Sequence, residues 1–260
     1  MRYVRLSWRL LRLNFLRETA YRANFFGQSL QAVFSLVSGL LGLAAVDVHG
    51  ALNGWNAGQL LALLGIYQLV GGLISMLIQP GMRQFMGEIR LGTLDFTLLK
   101  PVDAQFLVSA RRLELRRFGD VLLGLGVLLV ALGELGTRLD WERVLGFVFT
   151  LGAGCALIYS FWLMLATCAF WLVRVDNILV IFQDLYVAGR WPTTIYPGWL
   201  RWSLTFLVPV TVATTIPTQA LLGQLSWPLL LLVLLLTPCA LILARWCWKR
   251  GLRQYTGASA

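Results

Sequence analysis

Residues 58–79 read Gly-Gln-Leu-Leu-Ala-Leu-Leu-Gly-Ile-Tyr-Gln-Leu-Val-Gly-Gly-Leu-Ile-Ser-Met-Leu-Ile-Gln, with no charged side chain anywhere in the run. About 20 apolar residues carry a helix across the roughly 30 Å hydrocarbon layer, so this stretch predicts a membrane span. The rest of the chain agrees. Of 260 residues, 58% are hydrophobic and only 13% charged, and the mean hydropathy is +0.73. A soluble domain carries about 25% charged residues; here too little polar surface remains to cover a water-soluble fold.

Further charge-free windows extend the map to six spans in an all-α integral membrane protein forming one domain over 1–260. They are 25–46, 58–79, 118–136 (with Asp120 and Glu134 as boundary residues), 144–173, 178–195 and 228–244. The first window is longer than the 7–15 residues of a signal-peptide core, so it reads as a retained span. Trp202–Ala244 lacks charge throughout, but Pro209, Pro217, Gly223 and Pro228 divide it, so 199–225 reads as a re-entrant pair of short helices. An alternative stays open, in which 178–196 lies at the inner interface and 199–222 crosses.

Lys and Arg orient the map. With 22 basic against 12 acidic residues the formal charge is +10. Eighteen of the basic residues fall on one side, around the N-terminus, the 80–117 loop, Arg174 and the C-terminal end. Arg138, Arg143, Arg190 and Arg201 fall on the other. The positive-inside rule places both termini and the 80–117 loop in the cytoplasm. Basic segments beside spans bind anionic lipid, which accounts for the charge without nucleic acid. Trp55, Trp141, Trp199, Trp227 and Trp246 fall where an interfacial aromatic belt belongs.

Residues 1–22 read as an interfacial helix. Val4, Trp8, Leu11 and Phe15 share one face, and Arg2, Arg5, Arg9 and Arg12 the other. Such a helix lies in the head-group layer with guanidinium groups on lipid phosphates. Small-residue pairs, Gly39/Gly42, Gly71/Gly72, Gly124/Gly126 and Gly152/Gly154, suit close helix contacts, within the chain rather than between chains. The four cysteines, Cys155, Cys168, Cys239 and Cys247, form no C-x-x-C pair, and His49 is the sole histidine. They read as buried free thiols, with no metal site. Asp184 lies inside a span and is the pathway candidate, because an ionisable group there is costly.

The loop 80–117 is amphipathic. Leu91, Leu94 and Leu98 predict one helical stripe, Lys100-Pro101 a helix end, and a second helix follows. Glu88-Ile89-Arg90-Leu91-Gly92-Thr93-Leu94-Asp95-Phe96-Thr97-Leu98-Leu99-Lys100-Pro101-Val102-Asp103 resembles the acidic-x-x-x-G-T-L motif, closing on P-V, of type-2 ABC exporter permeases. Asp103 stands where a small hydroxyl residue is usual. The run from Arg190-Trp191-Pro192 to Pro217 is similar to a branch of that family in which two permeases accompany one ATPase. The resemblance implies that residues 84–100 form a cytoplasmic coupling helix between spans 2 and 3. Glu88, Arg90, Leu91, Gly92, Thr93, Leu94, Asp95, Leu98 and Pro101 would then engage an ATP-binding cassette ATPase. It further implies pairing with a second permease, as homodimer or heterodimer, and export by alternating access through a bacterial cytoplasmic (inner) membrane. ATP and Mg would be bound by the partner subunit. No G-x-x-x-x-G-K-[ST] loop occurs here, since Lys100 precedes Pro101 and Lys249 precedes Arg250, which removes ATP hydrolysis from this chain. A membrane-anchoring or assembly protein is the alternative. An intramembrane lipid-modifying enzyme fits less well, because no acid–base pair is assembled and no catalytic residue stands out.

Overall fold

The computed structural model describes Arg12, Asn14 and residues 22–47, 54–136, 140–172 and 176–255. The interfacial-helix residues Arg2, Arg5, Trp8 and Arg9 lie outside that set, as do His49 and Arg174; Arg12 is helical and exposed. No β-strand occurs among the described residues.

Helix α1 covers Arg22–Asp47. Helix α2, Ala57–Leu73, starts on a capping box, with Gln59 N–H donating to Asn56 Oδ1 (2.8 Å) and Asn56 N–H to Gln59 Oε1 (3.1 Å). It continues through a π-helical turn, Ile74–Ile78, into α3, Gln79–Arg90. The whole rod of 34 residues is about 51 Å long at 1.5 Å per residue, more than the hydrocarbon needs. Short helices α4 (Asp95–Leu98) and α5 (Ala104–Ala110) follow, and then α6 (Phe118–Glu134) and α7 (Trp141–Thr167). Helix α8 spans Asp176–Val187, α9 Gly198–Trp202, α10 Val210–Ala213, α11 Thr215–Leu221 and α12 Trp227–Gln254.

Side-chain neighbours fix the packing. Gly58 lies against Leu135, and Gly72 against Val121, so α6 runs antiparallel to α2. Gly251 lies against Thr167 and Phe170, and Gly223 against Arg143, so α12 runs antiparallel to α7. Phe85 touches the rings of Phe170 and Trp248 (centroids 5.7 and 4.8 Å apart). Residues 85, 118, 170 and 248 therefore share one end of the bundle, the basic end, and 57, 135, 143 and 223 share the other.

Among the described residues, three continuous helical segments are long and apolar enough to cross a membrane: Ala57–Arg90, Trp141–Phe170 and Trp227–Gln254. A fourth crossing is possible by length if the bent pair Gly198–Leu207 and Val210–Leu221, set at 70°, counts as one span. The expected span 178–195 is not one helix. Helix α8 stops after 12 residues and passes into 3-10 turns at Ala188–Arg190 and Thr193–Ile195. The bent pair has the broken form the prolines predict. Val208 and Pro209 leave the helix, and Thr205 donates to Thr211 Oγ1 (3.1 Å) while Thr211 donates to Leu204 O (3.1 Å). These bonds satisfy backbone and hydroxyl groups that hydrocarbon leaves unpaired.

Several expectations need correction. Trp55 is buried in a small cluster with Leu60 and Leu63 rather than standing in the aromatic belt, although Trp141, Trp199, Trp227 and Trp246 are exposed. The cysteines are free, but Cys239 is exposed and the other three are only partly covered. Arg190 lies over the Tyr67 ring (5.5 Å) and donates to Ser38 (3.0 Å) at the exposed edge of α1.

The α2–α6 contact is made backbone to backbone. A Cβ built on Gly65 would lie 2.8 Å from Leu128 N, and one on Gly124 would overlap Leu69 N and lie 2.8 Å from Gly65 O, whereas Gly126 has open space. Gly124→Ala is expected to lower stability by about 2 kcal/mol through overpacking. Gly126→Ala should gain about 0.5 kcal/mol, because alanine loses less backbone freedom in a helix. Thermal unfolding of the detergent-solubilised protein checks the opposite signs.

Candidate functional site

The stretch 88–103 does not continue helix α3. The helix stops at Arg90, and Gly92 turns the backbone to φ +67. Gly92 N–H donates to Ile89 O (3.2 Å) and Thr93 N–H to Glu88 O (2.9 Å). This crossed pair is a Schellman stop, which requires the left-handed region that glycine enters without steric cost. Leu91, Leu94 and Leu98 therefore do not form one stripe. Leu94 is fully buried, whereas Leu91 is 72% exposed.

Beneath the turn is a polar hub. Arg111 Nη2 lies 2.7 Å from Glu88 Oε2. Thr97 donates to the same carboxylate oxygen (3.2 Å) and accepts from Arg111 Nη1 (2.9 Å), and Gln84 donates to Glu88 Oε1 (2.9 Å). Thr97 is buried and the two charged side chains are mostly covered. Removing one partner of such a network leaves the other charge uncompensated, which costs far more than the pair gains. Glu88 is thus a support for the turn.

The hub holds up an apolar surface. Leu91, Phe96 and Leu99 are 72%, 72% and 82% exposed, and Leu98 is at the edge of exposure. Thr93 and Pro101 are also exposed, Asp95 is half-buried, and Arg90 is exposed at the end of α3. Leu91, Phe96 and Leu99 thus stand as exposed apolar side chains on the basic end of the molecule.

A second clamp ties this unit to the bundle. Asp103 caps α5 by accepting from Phe106 N (3.1 Å), and Arg245 of α12 grips both its carboxylate oxygens (2.5 and 3.2 Å). Arg245 also donates to Gln105 Oε1, and Gln105 and Ser109 reach Tyr159 OH of α7 (3.1 and 2.9 Å). Hydrogen bonding from Arg245 is the main reason the Asp103 carboxyl sits below its ordinary range. The signal for Asp103 was its departure from a hydroxyl residue; its partner Arg245 lies 142 positions away and had no signal of its own.

A cavity of about 320 Å³ lies between α1, the rod formed by α2, the π turn and α3, and helices α6, α7 and α8, with Tyr67, Trp162, Phe182 and Tyr186 as its aromatic wall. Gln68, Ser75, Gln79 and Arg83 line it from the long rod, Gln31 and Ser35 from α1, and Gln183 from α8. At the basic end Glu114, Arg117 and Asp120 close the ring, with Arg117 Nη1 3.5 Å from Asp120 Oδ2. The π turn meets this region directly, because Glu114 N–H donates to Met76 O (3.0 Å); π turns recur at functional sites. Asp184 is exposed on α8 and does not line the cavity; its neighbour Gln183 does. Asp120, read as a boundary residue, is buried and lines the wall. The positions 68, 75 and 79 share one helical face, and 31 and 35 another, a polar periodicity inside charge-free windows that could have flagged the site. No group of His, Cys, Asp and Glu able to hold a metal occurs among the described residues.

If the Asp103–Arg245 clamp stabilises the fold, Asp103→Asn lowers the melting temperature. A depressed folded pKa gives stability present above the ordinary value of 3.8 and lost as pH falls through the lowered one. The gap between wild type and variant should be constant at neutral pH and shrink below pH 3.8; melting curves across pH check it.

No curated protein and no solved structure matches the chain. A family model described as ABC-2 family transporter protein matches residues 25–259. Given that match and the membrane-crossing helices, the chain is an integral membrane protein and belongs to the ABC-2 family of transporter proteins, as a permease subunit.

Proposed function

We propose that this permease exports its substrate by alternating access, driven by a separate ATPase that grips the apolar knob Leu91–Phe96–Leu99. The knob carries the reading: three large apolar side chains stand exposed on a turn that is itself held by a mostly covered ion pair and its hydrogen bonds. An exposed apolar surface calls for a partner, and a braced one transmits force instead of bending. ATP and Mg bind in the partner, and closure of two ATPase subunits on ATP would bind one conformation of the permease pair better than the other. That differential affinity is what shifts a conformational equilibrium.

From the knob, displacement would pass through Glu88 into α3 and through Asp103–Arg245 into α12, tilting rods that cross the bilayer. A second permease, identical or homologous, completes the pathway. The basic end faces the cytoplasm in this arrangement, in agreement with the charge bias, and the membrane is a bacterial cytoplasmic membrane. A polar cavity within the bundle favours transport over a purely anchoring role, for which no such space is needed.

Phe96→Glu with Leu99→Glu should reduce capture of the ATP-binding subunit at least about tenfold, because loss of two buried apolar anchors exceeds 1.4 kcal/mol. Membrane insertion and melting temperature should stay unchanged, since both side chains are exposed. Leu94→Glu should instead unfold the turn, as Leu94 is buried. Co-purification from detergent extracts, compared with the thermal melts, separates the two effects. Undiminished capture by the double variant would overturn the docking assignment.

A further inference from the structure

We infer that the cavity between α1, the long rod and α8 binds a monoanion carried on an aromatic or acyl body; this names a substrate class for the transport reading above and rests on it. Charge makes the first selection. Arg117 Nη1 lies 3.5 Å from Asp120 Oδ2, and Arg116 Nη2 3.1 Å from Glu114 Oε2. Both carboxylates of the lining therefore have cationic partners, whereas Arg83, also in the lining, has no ion pair among the described residues. Beyond the other end, Arg190 lies over the Tyr67 ring and donates to Ser38, again with no carboxylate partner among the described residues. Ser38 stands nine residues before the end of α1 and Tyr67 ten after the start of α2, each about 14 Å inside the bilayer. An arginine held at that depth marks a ligand or ion pathway. The field in the cavity is positive, which favours an anion and repels a cation.

Between these cations the wall is aromatic. Tyr186 stacks on Tyr67 (centroids 4.9 Å apart), and Trp162 meets the Phe182 ring edge-on (4.9 Å). Tyr186 spends its hydroxyl on Tyr67 O (2.8 Å), but Trp162, fully buried, holds an indole N–H with no acceptor among the described residues. Indole N–H and guanidinium are donors only, so a ligand that satisfies them brings an acceptor, and an anionic oxygen is the strongest. The rings reward an apolar or aromatic body. Gln31 of α1 and Gln183 of α8 line the cavity and are exposed, which puts the mouth on the flank between these helices. Gly39 lies against Leu64, so Gln31, eight residues nearer the basic end, stands level with Gly72 of the lining, inside the bilayer. An amphiphile dissolved in lipid reaches such a mouth. The volume of about 320 Å³ falls at the small end of ligand sites and suits one ring system or one chain.

An aromatic anion from solution and a fatty-acid carboxylate from the bilayer present the same chemistry, and competitors distinguish them. The full-length permease in phosphatidylcholine nanodiscs is titrated with 1-anilinonaphthalene-8-sulfonate and with N-phenyl-1-naphthylamine, the same rings without the sulfonate. Signal from empty nanodiscs is subtracted. The sulfonate should bind saturably and at least about tenfold more tightly, the factor that one charge-assisted hydrogen bond supplies. Arg83→Gln should bring it to within about threefold of the naphthylamine, whose own binding stays unchanged, and Arg83→Lys should keep most of the preference. Arg250→Gln, which removes a charge lying over Trp246 (5.7 Å), should change neither. Ser35→Trp, filling the mouth, should abolish saturable binding of both dyes at an unchanged melting temperature; Gln31→Trp repeats the block from the exposed rim if Ser35→Trp melts early. Displacement of the sulfonate dye by naphthalene-1-sulfonate identifies an aromatic anion, and displacement by dodecanoate alone an acyl one. The proposal is overturned by absent saturable binding, by equal affinity for the two dyes, or by an Arg83→Gln effect no larger than that of Arg250→Gln. Binding retained in a folded blocked variant, or displacement by neither competitor, overturns it as well. Capture of the ATP-binding subunit is scored on the same membranes, so loss of the anion site and loss of the transport reading give different results.

Discussion

Hydrocarbon offers no hydrogen bonds, and this constraint decides where the chain can interrupt its helices. Each interruption among the described residues is covered by protein. At the π turn the Met76 carbonyl accepts from Glu114 N–H. At the 208–209 break, Thr205 and Thr211 close a local network on Leu204 O, while Gly154 of α7 lets the backbone at Ala213 approach closely. Near the end of α8, Tyr196 donates to Ala188 O (3.0 Å). The same rule that permits these breaks makes them positions where helices can re-aim without exposing a bare carbonyl to lipid.

The π turn also connects the two sites. Its Met76–Glu114 bond joins the long rod to the segment between α5 and α6, and Arg111 of that segment is tied to Glu88. In the proposed mechanism a displacement at the 88–103 turn would reach the cavity wall by two routes: along α3 through Gln79 and Arg83, and across through Glu114. The Asp103–Arg245 clamp adds a third connection, to α12. Charged hydrogen bonds with tight geometry serve this role better than apolar packing, because they fix direction as well as distance.

Charge-free windows and helix punctuation made the all-helical membrane character legible, as well as the broken region after Gly198. Glycine in the 88–103 motif was legible as a special position, but not as a helix stop; periodicity alone continued the helix through Leu94. That error has a physical source. A 3.6-residue stripe carries no information about φ, and the left-handed turn at Gly92 rotates Leu91 outward while Leu94 goes in. Asp184 stands exposed on α8 beside the cavity-lining Gln183, a difference hydropathy could not give, since it ranks cost and only packing tells which side of α8 faces the cavity. Small-residue pairs were legible as contact sites, yet Gly65, outside any pair, shares a backbone-to-backbone seam with Gly124.

Rigidity at the knob and softness at the π turn are complementary requirements. A push on Leu91, Phe96 and Leu99 does work on the bundle only if the hub holds, and the partly buried Glu88–Arg111 pair cannot slip without leaving a charge in a poor dielectric. The motion must then be absorbed elsewhere. The π turn, which closes i→i+5 instead of i→i+4 bonds and whose Met76 carbonyl is bonded across to Glu114, is the irregular turn of the long rod. Since Ser75 in that turn lines the cavity, with Gln68 above it and Gln79 below, bending there changes the spacing of the carboxamides themselves. In the proposed mechanism, force applied at one end of the rod would thereby change the spacing of the side chains lining the cavity at its centre, with no need for a chain of contacts leading farther across the membrane.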